Sequence, residues 1–168
     1  MRMRLIHVPD RLWTDRTLPE GAKMVWCYFR ALIDFRTVFT LKEIRSTVGI
    51  SLPSLHRYLG VLQRTGWITF DCIALRKVRV AVQVPEDGDY LTLPSDIIFD
   101  HDLPRGACWT WGVIFRLGGR VTYQDLRRAT GYGADKLRDH LKELVGNRWL
   151  VGGPVRKARK TTYVYRSA

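Results

Sequence analysis

Apolar residues in the first half of the chain fall on successive helical faces and then switch to strand spacing. Ala22, Val25, Trp26, Phe29, Leu32 and Ile33 recur at i, i+3, i+4 and i+7 intervals, which predicts an amphipathic helix. Thr17-Leu18-Pro19-Glu20 has the residues of a capping box with Pro in the first turn, and reads as its start. Leu41, Ile44 and Val48 give a second helical face, opened by Thr40-Leu41-Lys42-Glu43 and closed by Gly49, which can take the left-handed conformation of a helix C-terminus. A third helix is predicted from Ser51, with Leu55, Leu59 and Leu62 inward. Two short helices joined by a tight Gly-containing turn have the signature of a helix-turn-helix. Residues 67–73 and 78–84 then alternate or run apolar around residues 74–77, which predicts a β-hairpin.

The second half repeats this order. Val8-Pro9-Asp10 and the following residues match Leu93-Pro94-Ser95 at an offset of 85, which becomes 82 after a three-residue deletion and holds to Trp67/Trp149. Among the matches are Gly21/Gly106, Trp26/Trp111, Thr40/Thr122, Arg45/Arg127, Gly49/Gly131 and Leu55/Leu137. A repeat of this length is a duplicated domain rather than a solenoid unit. In the second copy Asp102 is expected to cap a helix with Ala107, Trp111, Ile114 and Phe115 inward. Thr122-Tyr123-Gln124-Asp125 opens the next helix, which carries Tyr123, Leu126 and Ala129 inward and ends at Gly131. Leu137, Leu141 and Leu144 line the third, from Gly133. Residues 149–151 and 161–165 read as strands, with 152–160 as the turn. The expected domains are 1–84 and 90–168, with the short polar stretch 85–89 as linker.

This phrase, Thr40-Leu41-Lys42-Glu43-Ile44 through Gly49-Ile50-Ser51, Leu55-His56-Arg57-Tyr58-Leu59 and Gly66-Trp67-Ile68, resembles the winged helix-turn-helix fold of bacterial DNA-binding proteins. The second copy matches less fully: Gly133 stands for the Ser cap, and Asn147-Arg148 for Thr65-Gly66. The chain is similar to the N-terminal domains of DnaD-type replication proteins, to plasmid replication initiators and to small transcriptional regulators. The resemblance implies an α+β, mainly α fold of two winged helix-turn-helix domains in tandem. It also implies that each third helix enters a DNA major groove. The residues facing outward there would be Leu52, Pro53, Ser54, His56 and Arg57, with Arg64 further along. Arg57 suits a bidentate guanine contact; His56 is either a contact or a surface residue. The second helix offers Ala134, Asp135, Lys136, Arg138 and Asp139, with Lys142 one turn on. Its acids repel phosphate, so it is expected to read DNA less strongly than the first. The wings would add Arg76 and Lys77 in the first copy and Arg156, Lys157, Arg159 and Lys160 in the second, toward phosphates or the minor groove.

Charge sharpens the picture. The 168 residues carry a net charge of +12. Residues 1–88 hold 14 Lys/Arg against 8 Asp/Glu, and residues 89–168 hold the same numbers, so each half is +6. A GC-rich genome inflates Arg, but accounts less easily for the excess over acids. A polyanion is the expected partner. Scattered Cys27, Cys72 and Cys108 fit buried thiols in a reducing compartment, and no apolar run reaches membrane-spanning length. A cytoplasmic, nucleoid-associated location without membrane contact is expected.

Candidate chemistry is sparse. His7, His56, His101 and His140 have no metal-ligand spacing with each other or with the cysteines. Asp100-His101-Asp102 could form a metal cluster, but the repeat aligns Asp100 with Asp15 and Asp102 with Thr17. Gly131-Tyr132-Gly133 lacks the rest of a phosphate loop. The expectation is no enzyme, no metal and no cofactor. The chain is read as a double-stranded DNA-binding protein, either a transcriptional regulator or a replication or mobile-element accessory factor, working as a monomer or a homodimer. The alternatives are a tandem winged-helix protein–protein scaffold and a single-stranded nucleic-acid binder.

Overall fold

A computed structural model of the chain describes residues 4–157 and 160–167. Helices and small antiparallel sheets share the chain in an α+β fold, divided into two units, Met1–Phe99 and Asp100–Ala168.

The first unit begins with β1 (Leu5–Pro9) and the single turn α1 (Asp10–Trp13), neither anticipated from the helix-helix-helix-hairpin pattern. Then follow α2 (Glu20–Leu32), β2 (Val38–Thr40), α3 (Leu41–Val48), α4 (Leu52–Arg64), β3 (Ile68–Ala74), β4 (Lys77–Val82), β5 (Tyr90–Pro94) and α5 (Ser95–Ile98). The expected linker leads into β5, which pairs antiparallel with β1, so residues 90–99 belong to the first unit instead of opening the second. The register is self-symmetric. His7 lies opposite Thr92, its own counterpart at the 85-residue offset, and His7 Nδ1 lies 2.8 Å from Thr92 Oγ1. Alternation explains the pair: Ile6, Val8, Leu91 and Leu93 are buried, while His7 and Thr92 face solvent.

The core of this unit is α2 against α3, α4 and the sheet β2-β4-β3. Ala22, Val25, Trp26 and Phe29 from α2 meet Phe39, Ile44, Leu55, Leu59, Leu62 and Ile68, all essentially inaccessible. Gly21 lets the Tyr58 ring cross α2, because a β-carbon there would fall 2.9 Å from the Tyr58 hydroxyl and closer still to the ring. The expected Thr17–Glu20 capping box is absent. Asp15 Oδ1 instead accepts from Thr17 N (2.8 Å) and Thr17 Oγ1 (2.7 Å), and α2 starts behind Pro19 with no side-chain cap. Burial pushes the Asp15 carboxyl up, but these bonds, one from the Leu18 amide and the Lys23 charge together hold it below its ordinary value. Glu20 lies 3.7 Å from the buried Lys23, whose Nζ donates to the Trp13 carbonyl at 2.8 Å.

The second unit contains α6 (Ala107–Arg116), β6 (Arg120–Val121), α7 (Tyr123–Thr130), α8 (Ala134–Gly146), β7 (Leu150–Lys157) and β8 (Lys160–Ser167). Asp102 does not cap α6. Its amide donates to Asp100 Oδ1 (2.9 Å), the same role Thr17 plays toward Asp15, and α6 begins behind Gly106. The buried indole of α6 is Trp109, whereas Trp111 and Phe115, expected inside, are half-buried and stack on each other at 4.2 Å. Trp111 Nε1 donates to the Trp149 carbonyl (3.0 Å), and Trp149 Nε1 to Asp100 Oδ2 (2.7 Å). The hairpin is longer than its sequence implies, since most of the stretch read as turn is strand. β7 is the edge of the sheet β6-β8-β7, where Pro154 lacks no needed donor. Gly152, at φ +141°, lies so close to the Val164 carbonyl that a β-carbon would not fit.

Candidate nucleic-acid interface

In the first unit, α3 and α4 are set by strong local signals. Thr40 accepts from the Glu43 amide (3.1 Å), and Glu43 accepts from the Thr40 amide (2.9 Å), a complete capping box. Arg36 donates to Glu43 (3.0 Å) and to Tyr28 Oη (3.2 Å). The Thr40 backbone and hydroxyl bonds, then Arg36, bring the Glu43 carboxyl down to about 2, and the bond to Glu43 raises Arg36 above its ordinary value. Gly49, at φ +66°, turns the chain into Ser51, which caps α4 by accepting from the Ser54 amide (3.3 Å).

α4 contains no acidic residue. It buries Leu55, Tyr58, Leu59 and Leu62, and exposes Pro53, His56, Arg57, Gln63 and Arg64. Leu52 and Ser54 are half-buried, and the Ser54 hydroxyl accepts from Ser51 Oγ at 2.9 Å. Arg57 leans on Tyr58, 5.1 Å from the ring centroid, with a long 3.4 Å bond to its hydroxyl. Arg64 sits at the far end of the helix, its guanidinium 3.3 Å from where a Gly60 β-carbon would be.

Beside the start of α4 lies an open groove of about 700 Å³, lined by Leu41, Lys42, Arg45, Ser46, Gly49, Ile50, Leu52 and Arg76. Three cations line it and no acid does. Lys42 and Arg45 stand one turn apart on the solvent side of α3. Arg76 arrives from the β3–β4 turn, and its carbonyl accepts from the Leu41 amide (3.0 Å), pinning the turn to the start of α3. Lys77, also exposed, begins β4 opposite Thr40.

The second unit repeats the arrangement. Thr122 and Asp125 form the matching capping box, and Gly131 at φ +73° the matching turn. A groove of about 620 Å³ is lined by Tyr123, Gln124, Arg127, Arg128 and Ala134. At the 82-residue offset these are the counterparts of Leu41, Lys42, Arg45, Ser46 and Leu52. Ala134, Asp135, Lys136, Arg138, Asp139 and Lys142 are all exposed on α8. Asp135 binds Arg138 (3.0 Å), and Lys136 lies 3.8 Å over the Tyr132 ring. The acids Asp135, Asp139 and Glu143 balance Lys136, Arg138 and Lys142, so α8 presents a neutral face where α4 presents a cationic one. His140 is buried in place of Tyr58, its Nδ1 2.9 Å from Thr110 Oγ1. Arg156, Lys157 and Lys160 lie on β7 and β8 near the hairpin end, with side chains outside the described residues, as is Arg159 altogether.

The groove cations Lys42, Arg45, Arg127 and Arg128 were not among the residues singled out from the sequence. The signal was present: Arg45 and Arg127 match across the repeat on faces that point away from the apolar stripe. Among the described residues no group of three or more His, Cys, Asp or Glu could hold a metal ion, and no helix is long and apolar enough to cross a membrane. No protein-family model matches the chain, and no curated protein matches it.

Proposed function

We propose that the chain is a double-stranded DNA-binding protein made of two winged helix-turn-helix modules. It acts at specific sites as a transcriptional regulator or as a replication or mobile-element accessory factor. The observation that carries this reading is the recurrence, at equivalent positions of both repeats, of an Arg-bearing groove without acids beside the start of the third helix. Cations in a groove of that kind meet phosphates and fix register, while base edges are read from the helix. α4, with His56 and Arg57 exposed and no carboxylate, is the stronger reader. α8 is the weaker reader, because its carboxylates oppose phosphate and Asp135 holds Arg138; backbone affinity in its unit comes from Arg127 and Arg128 in the groove.

The test is fluorescence anisotropy on fragments selected by the protein from a genomic DNA pool, titrated from 50 to 200 mM salt (about the range over which phosphate contacts weaken strongly). Log affinity should fall against log salt with a slope of about −4 or steeper, corresponding to about five neutralised phosphates. Single strands of the same sequence should compete poorly. A salt-insensitive signal, no binding at the lowest salt, or preference for the single strand overturns the proposal.

A further inference from the structure

The turn between β3 and β4 breaks two local rules at once. Ala74 pairs with Lys77, leaving Leu75 and Arg76 at the tip. Tips of this kind ordinarily take Gly, Asn, Asp or Pro. Here Leu75 is 90% exposed, far more than any other large apolar residue described. It ends a run of exposed residues, Cys72-Ile73-Ala74-Leu75. Arg76 holds φ +63°, a left-handed conformation that a side chain makes costly. Neither choice serves the stability of the fold, and departures of this kind concentrate where a protein acts on something else.

The tip is also held firmly. The Arg76 carbonyl accepts from the Leu41 amide at 3.0 Å, and Lys77 sits opposite Thr40 in the β2–β4 ladder. Leu75 is therefore a fixed apolar projection with cations at the next two positions, beside the groove of Lys42 and Arg45. Resting on the duplex-binding reading above, we propose that Leu75 is a wedge that enters between two base pairs from the minor groove and kinks the DNA, with Arg76 and Lys77 on the flanking phosphates. Burial of the leucine offsets part of the unstacking, and the cations gain from the closer backbone. That balance favours steps that unstack easily, so the sites chosen should place a TA or CA/TG step at one fixed position. The counterpart tip in the second repeat, Lys157-Ala158-Arg159-Lys160, carries no such residue in its sequence. The wedge belongs to the first module.

The experiment uses the whole chain and a selected duplex carrying end-attached fluorophores, with 2-aminopurine at the flexible step. Binding of the unmodified protein should shorten the end-to-end distance and brighten the 2-aminopurine. Leu75→Ala should leave the melting temperature unchanged, weaken binding about tenfold, and abolish both optical changes. Leu75→Met should restore them. If the unmodified protein binds with the duplex straight and the 2-aminopurine quenched, or if Leu75→Ala kinks it equally, the wedge is wrong while duplex binding stands. If it binds no duplex, both readings fall. A self-association lost in Leu75→Ala with DNA geometry unchanged would assign the tip to contact with a second copy and overturn the wedge.

Discussion

Arg148 holds, at φ +63°, the left-handed backbone conformation that its counterpart in the first repeat, Gly66, adopts at φ +76°. The surrounding bonds are the same. The amide of Trp67 reaches the Leu62 carbonyl at 2.9 Å, and that of Trp149 the Leu144 carbonyl at 2.8 Å. Both positions are solvent-exposed, so the difference between them is backbone strain. Relief of that strain by glycine exceeds the added freedom of the unfolded chain. Arg148→Gly should therefore stabilise the protein by about 0.5–1 kcal/mol. Gly66→Arg should cost about 1 kcal/mol. Urea unfolding followed by tryptophan fluorescence measures both, and a loss of stability in Arg148→Gly would show that its side chain has an unrecognised structural role.

The second strained arginine is expected to behave differently. Arg76, at φ +63°, lines the cationic groove, whereas Arg148 follows the far end of α8. Arg76→Gly should hold or raise the melting temperature while weakening duplex binding, and should make the salt slope shallower by about 1. A parallel rise in stability and affinity would remove Arg76 from the interface.

Comparison of the two capping motifs explains what could be read from the sequence. Thr40–Glu43 and Thr122–Asp125 form as their residues imply, because each box is complete within four residues. Thr17–Glu20 has the same letters, yet Asp15 lies two residues upstream and takes the threonine first, while Glu20 turns toward Lys23. The β1–β5 pair escaped notice for another reason. Each strand has five residues, and its partner is 85 positions away, so alternation in Ile6-His7-Val8 had no visible mate. The groove was legible only in part. Lys42 and Arg45 read as an ordinary solvent face of α3 until the hairpin brings Arg76 beside them. In the second unit the edge position of β7 permits Pro154 within a strand, against the local turn signal of Gly152-Gly153-Pro154.

Glu43, in the capping box of α3, makes the stability of the first unit sensitive to acid. Its carboxyl is down at about 2 from an unfolded value of 4.5. A lowered folded value stabilises the protein fully above 4.5, and this contribution is lost as pH falls from there toward about 2. The Glu43 side chain is 43% exposed, so screening keeps the effect to the size of an ordinary cap, about 1 kcal/mol. Glu43→Gln should be less stable than the unmodified protein by about that amount at neutral pH. The gap should begin to close below pH 4.5 and vanish near 2. A pH-independent gap between the two unfolding curves would assign the loss to packing instead of charge.

Base reading and phosphate gripping should separate in Arg57 and Arg45. Arg57 is exposed on α4, and its 3.4 Å bond to Tyr58 is weak enough to exchange for a base edge. Its loss as Arg57→Ala should cost about 1–3 kcal/mol on a selected duplex and much less on random sequence. The preference at one base pair should relax. Arg45 is exposed and lines the groove from α3, which Arg57 does not. Arg45→Ala should weaken selected and random duplexes alike and lower the salt slope by about 1. Anisotropy titrations of both variants on both duplexes decide the matter. Equal losses for Arg57→Ala on selected and random DNA would make it a second phosphate contact. A sequence-dependent loss for Arg45→Ala would move the reading surface from α4 to the groove.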